Sequence, residues 1–202
     1  MAASKSVSTR RRIIAAARAV LEREGIQGLT VRRIAASAGL SNMAMYQHFA
    51  DKKALLSALT DDGLTAWAEI VRSLHPREPM EWLEALGEAF LQFALTQPHR
   101  SDVTFFFPAA ESPQITDYVT AGRWSGVSMM MVPMDHARSA GRLVDRPALE
   151  IALAVSALCQ GLLSMYRAGR FSSEERFKRL YRAMVRRHLG SYARAGSRRT
   201  RR

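Results

Sequence analysis

Residues Thr30 to Lys53, TVRRIAASAGLSNMAMYQHFADKK, set one glycine between two short helical periods with a third helix behind them, and few folds accept that spacing. Thr30 is suited to cap a helix starting at Val31, because its hydroxyl can satisfy a first-turn amide, and Ile34, Ala35 and Ala38 then share one face. Gly39 tolerates the positive φ of a sharp turn. Leu40 fills the angle, and Ser41 caps a second helix expected from Asn42 to Phe49. Met45 and Phe49, four apart, can face inward, which leaves Asn42, Met43, Tyr46 and Gln47 outside. A short helix with that outward face fits a major groove, so the segment reads as a nucleic-acid-binding head.

The charge distribution supports this reading. The chain has 202 residues and a net charge of +12. Residues 1–60 hold ten basic against three acidic side chains, residues 61–150 seven against thirteen, and residues 151–202 thirteen against two. A polyanion would be drawn to the first segment, while the middle has the composition of an ordinary soluble domain. With 48% hydrophobic residues the chain can bury one large or two small cores and is not a disordered polymer. It has no run of alternating β-branched residues and no internal repeat, which predicts an all-α fold.

Helix signals divide the rest. Residues 1–7 are expected to be loose, and a first helix from Thr9 to Arg23 turns Ile13, Ile14, Ala17, Val20 and Leu21 inward before Gly25 stops it. A fourth helix runs from Asp51 to about Ser73. Pro76 and Pro79 break the chain, a fifth helix reaches Thr96, and a short sixth element after Pro98 carries Phe105, Phe106 and Phe107. Ser112-Pro113 opens a seventh helix that Pro133 is expected to kink or end. Asp145-Arg146-Pro147 opens an eighth, closed by Gly169. Ser172-Ser173-Glu174-Glu175 reads as a capping box for a ninth that reaches Leu189-Gly190. Beyond Tyr192 the tail ARAGSRRTRR is too polar to fold.

Thr30, Ile34-Ala35, Ala38-Gly39-Leu40-Ser41, Tyr46, Phe49 and Lys52-Lys53-Ala54-Leu55-Leu56 stand in the order and spacing of the TetR (tetracycline-repressor-like) family, which the chain resembles over about fifty residues. It departs from the family pattern at Met43, where Gly or another small residue is frequent, and at Ala44, where Thr is frequent. The resemblance implies an N-terminal three-helix helix-turn-helix DNA-binding domain at residues 1–56. A C-terminal helical ligand-binding and dimerisation domain would follow at 57–192, then a disordered basic tail at 193–202. It further implies a homodimeric transcription regulator, a repressor, that leaves a palindromic operator when a small-molecule effector binds.

Within that frame Arg32, Asn42 and Gln47 are expected at base edges, since Arg can bridge guanine and an amide can read adenine, with Met43 and Ala44 at a thymine methyl. The family match implies phosphate contacts for Thr30, Tyr46, His48 and Lys52. On the ninth helix Phe177, Leu180, Tyr181, Met184 and His188 form a stripe, and on the eighth Ala157 and Gly161 lie one turn apart. The family implies that these two helices pair with a second copy, although the same faces could complete the core of one chain. An apolar or aromatic effector would be lined by Trp67, Phe90, Phe93, Phe105, Phe106, Tyr118, Ala121, Trp124, Met130 and Gln160, with His99 and Gln114 as further polar anchors. Ordinary core packing is the competing reading of those residues.

Other classes lack support in the residues. Cys159 is the single cysteine, so there is no intrachain disulfide, and its apolar surroundings predict a buried structural thiol. MAASKSVSTRRR has no hydrophobic signal segment, which predicts a cytoplasmic protein. The apolar run Ala148 to Tyr166 carries Glu150, Ser156, Gln160 and Ser164 and is expected to be buried between helices rather than in a membrane. His99 with Asp102, and Asp135 with His136, have no third ligand at a metal-binding spacing, and no nucleophile has a placed base. No cofactor and no enzymatic activity are expected. The remaining alternatives are a constitutive regulator without ligand and an interaction or membrane-surface protein that uses the Arg-rich tail.

Overall fold

The computed structural model describes residues 2–75, 78–106 and 126–193. Its helices in chain order are α1 (Ala2–Gly28), α2 (Val31–Ser37), α3 (Asn42–Tyr46), α4 (Lys52–Arg72), α5 (Pro79–Thr96), α6 (Pro98–Phe105), α7 (Gly126–Ser139), α8 (Ala148–Arg167) and α9 (Glu174–Tyr192). Among the described residues there is no strand, only an isolated bridge between Leu143 and Ala193. The fold is all-α.

The chain divides into two compact units, Met1–Ala66 with Phe93–Pro113 and Trp67–Gln92 with Gln114–Arg202. In the first, Ile13, Ala17, Val20 and Leu21 of α1 meet Ile34 and Ala35 of α2, Met45 of α3, Phe49 in the turn after it, Leu55 and Leu59 of α4, and Val103 of α6. Burying each large side chain stabilises the unit by about 1.5–3 kcal/mol. α6 is pinned to α4 and α1 by polar groups as well. Arg100 donates to the Asp62 carboxylate at 2.7 Å and to its backbone carbonyl at 3.2 Å, while Arg18 donates to the same carboxylate at 3.3 Å. The His99 ring lies where a Cβ on Gly25 would come within 3.2 Å, and Gly25 has φ 65°.

The second unit is built around α9, whose Phe177, Tyr181, Val185 and Leu189 are buried at a period of four. Tyr166 of α8 stacks on Phe177 at 4.3 Å with the rings 7° from parallel, and Phe171 meets Phe177 edge-on. Ile151, Ala152 and Val155 of α8, Met130 and Met134 of α7, and Leu83, Leu86 and Leu91 of α5 are also buried in this unit. Glu88 of α5 accepts two bonds from Arg182 of α9, at 2.8 and 2.7 Å, a fork that holds the two helices in register.

Several expectations change in detail. Residues 2–7, expected to be loose, continue α1, since no Gly or Pro interrupts the helix there. α3 closes at Tyr46 instead of Phe49, where the His48 amide turns back only three residues to the Met45 carbonyl and tightens the last turn. Pro133 lies inside α7, which continues to Ser139 with Met134 and Ala137 buried. The expected capping box of α9 does not form. Ser173, not Ser172, is the cap, so position N3 is Arg176; Glu174 instead pairs with Lys178 at 2.6 Å and accepts from Tyr166 at 3.0 Å. The start of the seventh helix at Ser112-Pro113 lies outside the described residues.

Candidate nucleic-acid interface

The turn between α2 and α3 is built from local chemistry. The Thr30 hydroxyl accepts from the Arg33 amide at 3.3 Å and the Ser41 hydroxyl from the Ala44 amide at 3.1 Å, so both helices have their side-chain caps. Gly39 has φ 63°, a conformation that costs an L side chain but not glycine. Ile34, Met45 and Phe49 are buried, with Leu40 packed against them, and this anchors α3 by its inner face. Behind it, Asp51 accepts from the Ala54 amide at 2.7 Å and caps α4.

What remains outside is a basic and amphipathic surface. Met43 is 74% and Tyr46 54% exposed, high values for side chains that a solitary fold would tend to cover. Asn42 and Gln47 are exposed, Ala44 and His48 half-buried, and Thr30, Arg32, Lys52 and Lys53 exposed. Among the described residues Arg32, Lys52 and Lys53 hold no ion-pair partner. Arg33, by contrast, is paired with Glu24. The residues expected at bases and those expected at phosphates therefore belong to α2, α3, their caps and the first turn of α4, except His48, which lies one residue past the C-cap of α3.

One participant could not be read from the sequence. Arg10 of α1 donates from Nη1 to the His48 carbonyl at 2.9 Å, and its guanidinium carbon lies 4.2 Å above the centre of the Phe49 ring. The two ends of this contact are 38 residues apart, and nothing in the local pattern singles out Arg10 from Arg11 or Arg12.

Two capped helices joined at a positive-φ glycine, with an exposed amphipathic face on the second and free cations beside it, define a helix-turn-helix protein. The model for bacterial regulatory proteins of the tetR family matches residues 13–59, and that for the tetracyclin repressor-like C-terminal domain matches residues 83–188, more than half of the chain. The chain belongs to the TetR family. It is similar to the HTH-type transcriptional repressor AcnR of Corynebacterium glutamicum, with 36% identity over 70 residues, 35% of this chain and 37% of that protein. The chain thus spans about a third of the length of the curated relatives it matches. A protein of unknown function from Rhodococcus sp. RHA1 has the same fold, with a TM-score of 0.72, 26% identity, and coverage of 92% of this chain and 96% of the other. A tetracycline-repressor variant from Acinetobacter baumannii AYE in complex with minocycline matches with a TM-score of 0.64 at 19% identity, over 89% and 93% of the two chains.

The other expected site residues fall into separate groups. Phe177 and Tyr181 of the proposed interface stripe are turned into the chain's own core, 0% and 1% exposed, because that face of α9 packs on α8 and α5. Leu180 is 45% exposed and Met184 half-buried on α9, and Ala157, Gly161 and Met165 are exposed on α8. A Cβ on Gly161 would meet nothing within 4 Å in the chain. Of the expected effector-lining residues, Trp67 and Phe90 are buried in the second unit and meet edge-on at 6.1 Å. Phe93 and Phe105 form a second edge-on pair at 6.1 Å in the first unit, with Phe106 half-buried beside them in sequence. Met130 is buried on α7 and Gln160 half-buried on α8. Tyr118, Ala121 and Trp124, like Gln114, lie outside the described residues.

Cys159 is buried, and desolvation pushes its thiol up to about 11, which keeps it protonated and unreactive at neutral pH. Among the described residues no three His, Cys, Asp or Glu side chains come together in a group able to hold a metal ion.

Proposed function

We propose that this chain is a dimeric transcription regulator that binds palindromic DNA through residues 1–56 and responds to a small apolar or aromatic molecule bound by residues 57–192, acting as a repressor. The observation that carries the reading is the exposed face of α3, where Asn42, Met43 and Gln47 stand between Arg32 and Lys52. Neither Met43 nor the free cations serve the fold, whereas a groove with phosphate walls and methyl-bearing bases uses both. Arg32, Asn42, Met43, Ala44 and Gln47 read bases, and Thr30, Tyr46, His48 and Lys52 hold phosphates.

Dimerisation is supported by the outer face of α8 and α9. α8 is long and apolar enough to cross a membrane by length and composition alone, with its inner side in the core and Ala157, Gly161 and Met165 left open. A second copy laid against Leu180 and this small-residue face would cover it with one self-complementary patch. The two reading helices would then stand about 34–36 Å apart, one turn of DNA.

For the effector the support is the family, the minocycline complex of the A. baumannii relative, and a body rich in Trp, Phe and Met. An effector that prefers one arrangement of the heads must weaken operator binding by its coupling free energy, typically about 1–3 kcal/mol. The second reading is a constitutive regulator without ligand, in which the edge-on pairs Trp67–Phe90 and Phe93–Phe105 are ordinary core packing. A thermal-shift screen of apolar, aromatic and small anionic compounds, followed by release of bound operator by each hit, separates the two. Release by apolar or aromatic compounds is expected. Release by small anions alone would overturn the apolar effector, and no release by any compound would favour the constitutive regulator.

A further inference from the structure

α3 has only five residues, so its own hydrogen bonds hold it weakly, and its C-terminal exit leaves backbone carbonyls without helical partners. Arg10 supplies a partner from another helix, with Nη1 on the His48 carbonyl at 2.9 Å and the guanidinium carbon 4.2 Å over the centre of the Phe49 ring. The Phe49 ring is 3% exposed and fixed in the core, which makes it a rigid seat for the cation. Arg10 also lines a groove with Arg11, Arg18, Asp61 and Asp62, where a mobile cation would find a carboxylate. Arg18 takes Asp62 at 3.3 Å, and Arg10 turns to the α3 side instead.

We propose that Arg10 is a positioning residue for sequence recognition: it clamps the exit of α3 and so sets the angle at which Asn42, Met43 and Gln47 are presented. This rests on the reading of α3 as the helix that enters the groove. The clamp requires a planar head that can stack and donate at once. A lysine keeps the charge and loses that geometry. A cation at a helix C-terminus is also favourable by charge alone, so geometry and charge must be separated by experiment.

The chain is used to select duplexes from a random library, and the affinity for the selected duplex and for a scrambled one is measured over a salt series for wild type, Arg10→Ala, Arg10→Lys and Arg11→Ala. Arg10→Ala and Arg10→Lys are both expected to lose about tenfold or more on the selected duplex, the loss of one charge-assisted hydrogen bond. Neither should change the affinity for the scrambled duplex or the salt slope. Equal losses on both duplexes with a salt slope lower by about one would make Arg10 a phosphate contact and overturn the proposal. So would full affinity in Arg10→Lys, or a loss in Arg11→Ala of the same kind and size. If Arg10→Ala is not folded by thermal melting, Arg10→Lys carries the test. A wild type that selects no duplex rejects the DNA reading and the positioning role with it; one that selects a duplex which both Arg10 variants bind equally well rejects the positioning role alone.

Discussion

The hydroxyl of Tyr181 donates to the backbone carbonyl of Gly87 at 2.9 Å, joining α9 to α5 across 94 residues of sequence. Burial pushes the phenol well above its ordinary value, so it stays a donor throughout the usable pH range. Tyr181→Phe keeps the ring and removes one of the two bonds the carbonyl can accept, since Gly87 lies mid-helix in α5 and its carbonyl also faces the Leu91 amide one turn on. It is expected to cost about 0.5–1.5 kcal/mol in urea unfolding with helix content unchanged, the net worth of one buried hydrogen bond. Unchanged stability would show that this bond does not hold α9 to α5.

The Glu88–Arg182 fork gives a pH dependence. The hydrogen bonds from Arg182 hold the Glu88 carboxyl below its ordinary 4.5 against a smaller opposing effect of burial. A lowered folded-state value contributes stability above the ordinary value and loses it as the pH falls through the lowered one. The pair is partly exposed, so solvent screening keeps its contribution small. Arg182→Gln should therefore lower stability at neutral pH and flatten the acid limb of the stability curve. An acid limb identical to wild type would remove the pair from the account.

Contacts to bases and to phosphates separate by their salt behaviour. Lys52→Ala is expected to weaken binding to all duplexes alike and to lower the salt slope by about one. Arg32→Ala should cost about 1–3 kcal/mol at one base position and leave the others unchanged. Anisotropy titrations on single-base variants of a selected duplex give both numbers, and the opposite pattern would reverse the two roles.

Leu180→Glu tests the dimer. With Leu180 45% exposed on one chain, the charge is tolerated in a monomer but not at the centre of an apolar interface. Sedimentation should show a folded monomer with weakened operator binding. A folded dimer would place the interface elsewhere.

The caps at Thr30 and Ser41 and the turn at Gly39 were legible in the sequence because each depends on residues within four positions. The helix order was legible for the same reason, through Pro79, Pro98 and Pro147 at or beside helix starts. Contacts between distant segments were not. Arg10 with His48, Arg100 with Asp62 and Tyr181 with Gly87 close loops of 38 to 94 residues and leave no periodic trace. Helix period also cannot tell an inner face from an outer one when both are apolar. Phe177, Leu180 and Tyr181 read as one stripe, yet the first and last are core and the middle one is surface. Ser173 displaced Ser172 as the cap of α9 because two adjacent serines offer the same signal one residue apart.

If the open face of α3 enters the groove, selection from a random duplex library should enrich a palindrome with half-sites one helical turn apart, about 10 base pairs centre to centre. In single-base titrations of the selected duplex, Asn42→Ala and Gln47→Ala should each relax preference at their own base pair. No enrichment, or an enriched duplex whose base preferences neither substitution alters, would contradict that placement of α3.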